Sequence, residues 1–361
     1  MMPGATSSPI RKKRKLELDR ISNLPDDLTQ QILSYLPFKE AGRTSILSRH
    51  WRFQWAMLPS LAFDLFIDDP YVVDHVLLLH DGPIHSFKPS TKYAMDIIAM
   101  DRWIRHLSKT PIKQFIVKGY KRSRLYRPYV VPSSLFSCQH LTHLELSNCS
   151  LSLPPTFKGF RNLKTLDIQR AIVPQLELEK LIVYSLLLER LTVCHLKDIA
   201  RLKIDAPNLQ FLKVGEEFED VELVNTLNLV HVSLDRKWPC GRWDILLRST
   251  PTLRELEISF RQEQEYWGRQ KNEEATSWKL PKLQRLKVTG FSGAEDELEF
   301  IKFLLISSPA LQELHILYEE TKKRDNSIKI QRVDDAAMAN QNFASTQLRV
   351  LNIIGFSPKL K

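Results

Sequence analysis

A six-residue pattern, Φ-x-x-Φ-x-Φ with leucine at most Φ positions, recurs ten times between residues 112 and 353. It reads IKQFIV (112–117), LTHLEL (141–146), LKTLDI (163–168), LERLTV (188–193) and LQFLKV (209–214). It continues as LVHVSL (229–234), LRELEI (253–258), LQRLKV (283–288), LQELHI (311–316) and LRVLNI (348–353). Successive copies begin 20 to 30 residues apart, except the last, which follows after 37 and implies an insertion or a lost repeat. A unit of this size cannot bury its own apolar face, so neighbours must stack into a curved solenoid. Strand side chains alternate, so the two central apolar residues of each unit point inward and the residues beside them point out onto the concave face.

The period resembles that of leucine-rich repeats. The fold class it implies is an α/β repeat solenoid of the ribonuclease-inhibitor type over residues 111–361, preceded by a small three-helix module. Residues 61–110 read as a linker and N-terminal cap. Within them DIIAMDRWIRHLSK (96–109) reads as a helix with Ile97, Trp103, Ile104 and Leu107 apolar.

Residues 20–60 carry the helical module. Leu28, Ile32, Leu33 and Leu36 form an apolar stripe at helical spacing. Asn23 is positioned to cap, Pro25 suits a first turn, and Asp26 and Asp27 favour the positive end of the helix dipole. Pro37 stops this helix. A second is expected over Glu40 to Ser48, and a third carries Trp51, Trp55 and Leu58. Three short helices bury little apolar surface alone, and their exposed leucines suggest a partner surface or packing on the next domain.

The strings LPDDLTQQILSYLP (24–37) and KEAGRTSILSRHWRFQWAMLPSLAFD (39–64) resemble an F-box. The resemblance implies docking on an SKP-type adaptor, and through it on a cullin, by Leu24, Pro25, Ile32, Leu33, Leu36, Pro37, Leu47 and Trp51. Two residues depart from the pattern. Gly42 stands where an aliphatic residue is usual, and a mid-helix glycine costs about 0.5–1 kcal/mol relative to alanine. Gln54 also replaces an apolar residue. The stretch 283–316 is similar to the FBD segment of plant F-box proteins and places such a segment at about 280–317. Its residues read as a strand, a glycine-containing turn, and a helix around Leu298, Ile301, Phe303 and Leu304. The family implies a substrate-recognition subunit of an SCF-type cullin–RING ubiquitin ligase, non-catalytic, with an unknown protein as substrate. A protein-binding scaffold without ligase association is the alternative.

Other classes find less support. The net charge is +10, which makes nucleic acid the first rival partner. Residues 1–19 read as a disordered basic tail. There Arg11, Lys12, Lys13, Arg14 and Lys15 have the composition of a nuclear import signal or of a solvated arm, consistent with nucleus and/or cytoplasm. The expected concave face is mixed: Arg190, Lys213, Arg285 and Lys287 stand against Glu145, Asp167, Asp235, Glu255, Glu257 and Glu313. A phosphate-binding groove should be clearly basic, so nucleic acid is not the expected partner. GYKRSRLYRPY (119–129) interleaves cations and tyrosines, as in a single-strand contact, or as in an ordinary polar loop. His143, His231 and His315 also fall on concave positions, with Cys194, but in different repeats and beside no matching nucleophile. No phosphate-loop, dinucleotide, HExxH or GxSxG motif occurs, and no cofactor is expected. Cys138, Cys149, Cys194 and Cys240 show no metal-ligand spacing and read as reduced thiols. No run approaches the length of a membrane helix. The substrate-binding candidates on geometry are Glu145, Asp167, Lys213, Glu255, Glu257, Arg285 and Lys287, with the polar loop 262–278.

Overall fold

The computed structural model describes residues 21–64, 70–91, 97–119, 128–215, 218, 220–234, 246–247, 249–260, 279–291, 295–318 and 327–331. The basic run 11–15, most of the loop 119–129, the loop 262–278 and LRVLNI lie outside the described residues.

The strands are β1 (Ser60–Asp64), β2 (Ser86–Thr91), β3 (Gln114–Gly119), β4 (Tyr129–Val130), β5 (His143–Ser147), β6 (Cys149–Ser150), β7 (Thr165–Gln169) and β8 (Arg190–Cys194). They continue as β9 (Arg201–Asp205), β10 (Phe211–Val214), β11 (Asp220–Val224), β12 (His231–Leu234), β13 (Glu255–Ser259), β14 (Arg285–Phe291), β15 (Glu313–Tyr318) and β16 (Ser327–Gln331). One twelve-stranded sheet has the order β1-β2-β3-β5-β7-β8-β10-β12-β13-β14-β15-β16. The first nine copies of the sequence pattern are nine consecutive strands of it, β3 to β15, in parallel pairs. The short pairs β4–β6 and β9–β11 lie beside the sheet, not in it.

In the nine described copies the Φ residues point inside, all of them buried except half-buried Leu311. Leu163, Leu166 and Ile168 are fully buried, as are Leu141, Leu144 and Leu146. These side chains join into one continuous core running from Leu61 to Ile316. The turns are tied one repeat back by side-chain amides: Asn162 Nδ2 donates to Gln139 O at 3.0 Å, Asn208 Nδ2 to Leu186 O at 2.9 Å and Asn228 Nδ2 to Pro207 O at 2.8 Å. Such bonds satisfy carbonyls that leave the sheet where the strand ladder cannot reach them.

The sheet departs from expectation at both ends. It begins at Ser60, so β1 and β2 already stack within the stretch read as linker and cap. The pattern is present there with phenylalanine and proline in its frame: Leu58-x-x-Leu61-x-Phe63 and Ile84-x-x-Phe87-x-Pro89, with both phenylalanines buried. At the other end β16 pairs antiparallel with β15, so the parallel ladder of described residues stops there. The expected helix at 96–109 is α4 below, at Ile97–Leu107, and a helix at Glu295–Ser307 buries Ile301 and Leu304.

The N-terminal module consists of α1 (Asp26–Ser34), α2 (Phe38–Arg43) and 3-10 turns at Thr44–Ile46 and Trp51–Met57. Pro25, not Asn23, occupies the N-cap of α1. The second helix is shorter than expected and passes into a 3-10 turn. α4 then packs on β2, with the Trp103 and Phe87 ring centroids 6.0 Å apart, and α3 (Pro70–Leu79) lies against α4, where Trp103 Nε1 donates to Asp74 Oδ1 at 2.7 Å. The module is joined to the solenoid by an aromatic series. Phe38 meets Trp55 on one side, with centroids 6.0 Å apart, and Phe63 of β1 on the other, at 5.2 Å. Phe63 continues to Phe87 and Phe87 to Phe115. Edge and offset contacts of this kind add about 0.5–1.5 kcal/mol each beyond burial.

Candidate functional site

Two surfaces hold the residues singled out from the sequence. On the N-terminal module, α1 splits its apolar stripe. Thr29 and Leu33 are fully buried, whereas Leu28, Ile32 and Leu36 are exposed. Adjacent helical positions point about 100° apart, so Ile32 and Leu33 cannot serve the same face. Leu33 packs with Ala41, Trp51 and Leu58 in a small core against which Leu24, Phe38 and Trp55 lean. Trp51 is buried as well, and its Nε1 donates to Ile21 O at 3.0 Å. Leu33 and Trp51 are therefore core residues of the module, and unlike Ile32, Leu36 and Leu47 they present no exposed side chain. Leu24 is half-buried, and Pro25 and Pro37 are exposed at the N-caps of α1 and α2.

Ile32, Leu36 and Leu47 are exposed, at 42%, 38% and 55%. Leu28, Tyr35, Ile46, Phe53 and Met57 are exposed too, and none of them is among the eight residues the resemblance implies. Leu28 stands in the apolar stripe of the sequence, at i, i+4 spacing to Ile32. For the others the only signal was a large apolar side chain on a unit with no room to bury it. So many exposed apolar groups on so small a unit mark an interaction surface.

Neither departure disrupts the module. Gly42 is the second-last residue of α2, with nothing within 4 Å of where a Cβ would stand. Gln54 ties the helices together: its Nε2 donates to Asp26 Oδ1 at 2.8 Å, and Gln30 Nε2 donates to its Oε1 and backbone O, each at 2.7 Å.

The second surface is the outward face of the sheet. Glu145 and Asp167 are cross-strand neighbours on β5 and β7. Lys213 lies on β10. Glu255 and Glu257 of β13 face Arg285 and Lys287 of β14 in register. Arg285 pairs with Glu255, and Lys287 Nζ lies 2.5 Å from Glu257 Oε1. These four candidates thus neutralise one another. Such half-exposed pairs contribute about 0–1 kcal/mol each. Asp235 lies outside the described residues, and Cys194 is buried. Burial pushes the Cys138 and Cys149 thiols up to about 12, which leaves them protonated and unreactive.

His231 joins this face. Its Nδ1 lies 3.0 Å from Glu255 Oε2, and its ring is 4.7 Å from that of Phe211. Burial lowers its pKa below the ordinary 6.5; Glu257 opposes the shift, and Arg190, Arg285 and Lys287 add to it. Above pH 6.5 the ring is neutral folded or unfolded, and the full stability is present. As pH falls from 6.5 through the lower folded value, the unfolded chain binds the proton first and stability is lost. The melting temperature is accordingly expected to drop more between about pH 7.5 and about pH 5.5 in the native chain than in His231→Gln. Equal drops in the two proteins would remove His231 from the pH response.

The F-box family model matches residues 21–62, and the model for the leucine-rich repeats of FBD-associated F-box protein At5g56370 matches residues 100–264. Over 87% of its length the chain is 30% identical to the F-box/FBD/LRR-repeat protein At1g13570 of Arabidopsis thaliana, covering 95% of that protein. The chain belongs to the F-box/FBD/LRR-repeat family. It is 32% identical to F-box/FBD/LRR-repeat protein At5g56420 and 29% identical to FBD-associated F-box protein At4g10400, both also from Arabidopsis thaliana. Those alignments take in 61% and 67% of this chain, and 56% and 61% of the relatives' lengths. The F-box match coincides with the helical module, and the repeat match begins in α4 and takes in strands β3 to β13. An F-box is a module that binds SKP-type adaptors, so the coarse role is that of a substrate adaptor.

Proposed function

We propose that this chain is the substrate-recognition subunit of an SCF-type cullin–RING ubiquitin ligase. The observation that carries the reading is the exposed apolar side chains of the F-box, Ile32, Leu36 and Leu47 among them. A monomer gains nothing by presenting these side chains to water, whereas an adaptor gains by covering them. The solenoid then holds the substrate on its concave face. Ubiquitin transfer belongs to a separate conjugating enzyme. The chain contributes proximity, raising the effective concentration of substrate lysines near the thioester.

The test is co-expression with an SKP-type adaptor, beside a variant carrying Leu36→Asp and Leu47→Asp. Both sites are exposed, so the fold is retained. Truncating an apolar anchor at an interface centre costs about 2 kcal/mol or more, so the double variant should bind at least ~100-fold more weakly. Equal binding by the two proteins would move the docking surface elsewhere, and no binding by either would favour a scaffold outside the ligase.

A further inference from the structure

In register across the centre of the sheet, Arg190, Phe211, His231, Glu255 and Arg285 stand side by side on β8, β10, β12, β13 and β14. Their side chains touch in sequence. The Arg190 guanidinium lies 4.0 Å over the Phe211 ring, Phe211 tilts against His231, His231 meets Glu255, and Glu255 pairs with Arg285. The neighbouring row pairs Glu257 with Lys287. On β13 and β14 the charges therefore cancel.

On β8 and β10 they do not. Among the described residues, no carboxylate is paired with Arg190 or Lys213. Phe211 faces Arg190 directly, which puts Lys213 diagonally two residues further along. Diagonal neighbours of this kind are about 7–8 Å apart. The guanidinium is held in place by the ring beneath it, a contact worth about 0.5–1 kcal/mol at an exposed site. Half-exposed Phe211 and His231 supply apolar surface beside the two cations.

We propose that the β8–β12 part of the concave face binds an acidic segment of a partner protein. Two carboxylates about 7 Å apart, the spacing of alternate residues in an extended chain, meet Arg190 and Lys213. An apolar or aromatic side chain beside them packs on Phe211 and His231. This deepens the substrate-recognition reading above and rests on it. A polypeptide fits better than nucleic acid because the basic patch is only two strands wide. Asp167 stands on β7 at one side and Glu257 on β13 at the other. A sugar-phosphate chain would meet those carboxylates within about 10 Å, inside the screening length.

The experiment selects a random displayed-peptide library on the full chain and on Arg190→Glu/Lys213→Glu. Adaptor binding and melting temperature are measured on the same preparations. The native chain is expected to enrich peptides with paired Asp or Glu and a nearby aromatic, and the reversed variant to enrich basic ones. A peptide selected on the native chain should lose on the order of tenfold in affinity on Arg190→Gln/Lys213→Gln. Identical selections on both proteins, or enrichment without acidic residues, would overturn the proposal. So would a single-stranded oligonucleotide that outcompetes the selected peptide and loses binding with the same two substitutions. Because the F-box is untouched, loss of adaptor binding with acidic peptides still selected sinks the ligase reading alone.

Discussion

Gly290→Ala is expected to destabilise the C-terminal repeats by at least about 3 kcal/mol. Gly290 interrupts β14 with φ +67, and the pairing with β15 shifts register between Thr289 and Phe291. The bulge returns Phe291 to the core, where it is buried. It also brings the backbone against β13's end: Phe260 N donates to Thr289 O at 2.7 Å, and a Cβ on residue 290 would stand 1.7 Å from Phe260 O. The obstacle is a carbonyl, which cannot rotate away as a side chain can. The left-handed conformation adds about 1–2 kcal/mol for a residue with a Cβ. Gly42→Ala is the control. There the Cβ meets open space inside a helix, and the change should be neutral or stabilising by up to about 1 kcal/mol. Urea unfolding followed by circular dichroism, with hydrogen exchange across β13–β15, reads both. Unchanged protection in Gly290→Ala would mean that the bulge does not constrain these strands.

The repeat was legible because a period-2 strand inside a period of about 25 residues leaves leucines at fixed offsets. Nine strands followed from it. β1 and β2 escaped because Phe63, Phe87 and Pro89 stand in the frame where leucine was sought, although phenylalanine fills the same interior volume. The outward alternation of Glu255, Glu257, Arg285 and Lys287 was equally legible. Their mutual neutralisation was not, because it depends on the register between strands thirty residues apart, which no local pattern fixes. On the F-box the family motif located the module but merged its two faces. A motif keeps core residues and contact residues alike, and only burial separates Leu33 from Ile32.

That separation has a measurable consequence. Leu33→Asp is expected to unfold the F-box, not merely to block its partner. Leu33 is fully buried among Ala41, Trp51 and Leu58. Removing it costs about 2–5 kcal/mol, and burying an unpaired carboxylate adds several more. A core of a few residues rarely supplies more than about 3–5 kcal/mol in all. The solenoid has its own continuous core and should survive. Hydrogen exchange should therefore lose protection over Asp26–Met57 while β5 to β8 keep theirs. The indole of Trp51, released from Ile21 O, should shift its fluorescence toward that of a solvated ring. Retained protection in α1 would show that the charge is accommodated and that Leu33 does not hold the module. With Leu36→Asp and Leu47→Asp the expectation reverses: protection stays and adaptor binding goes. Loss of binding in Leu33→Asp thus reports only on folding, and the docking surface is defined by the exposed pair, where the two readouts come apart.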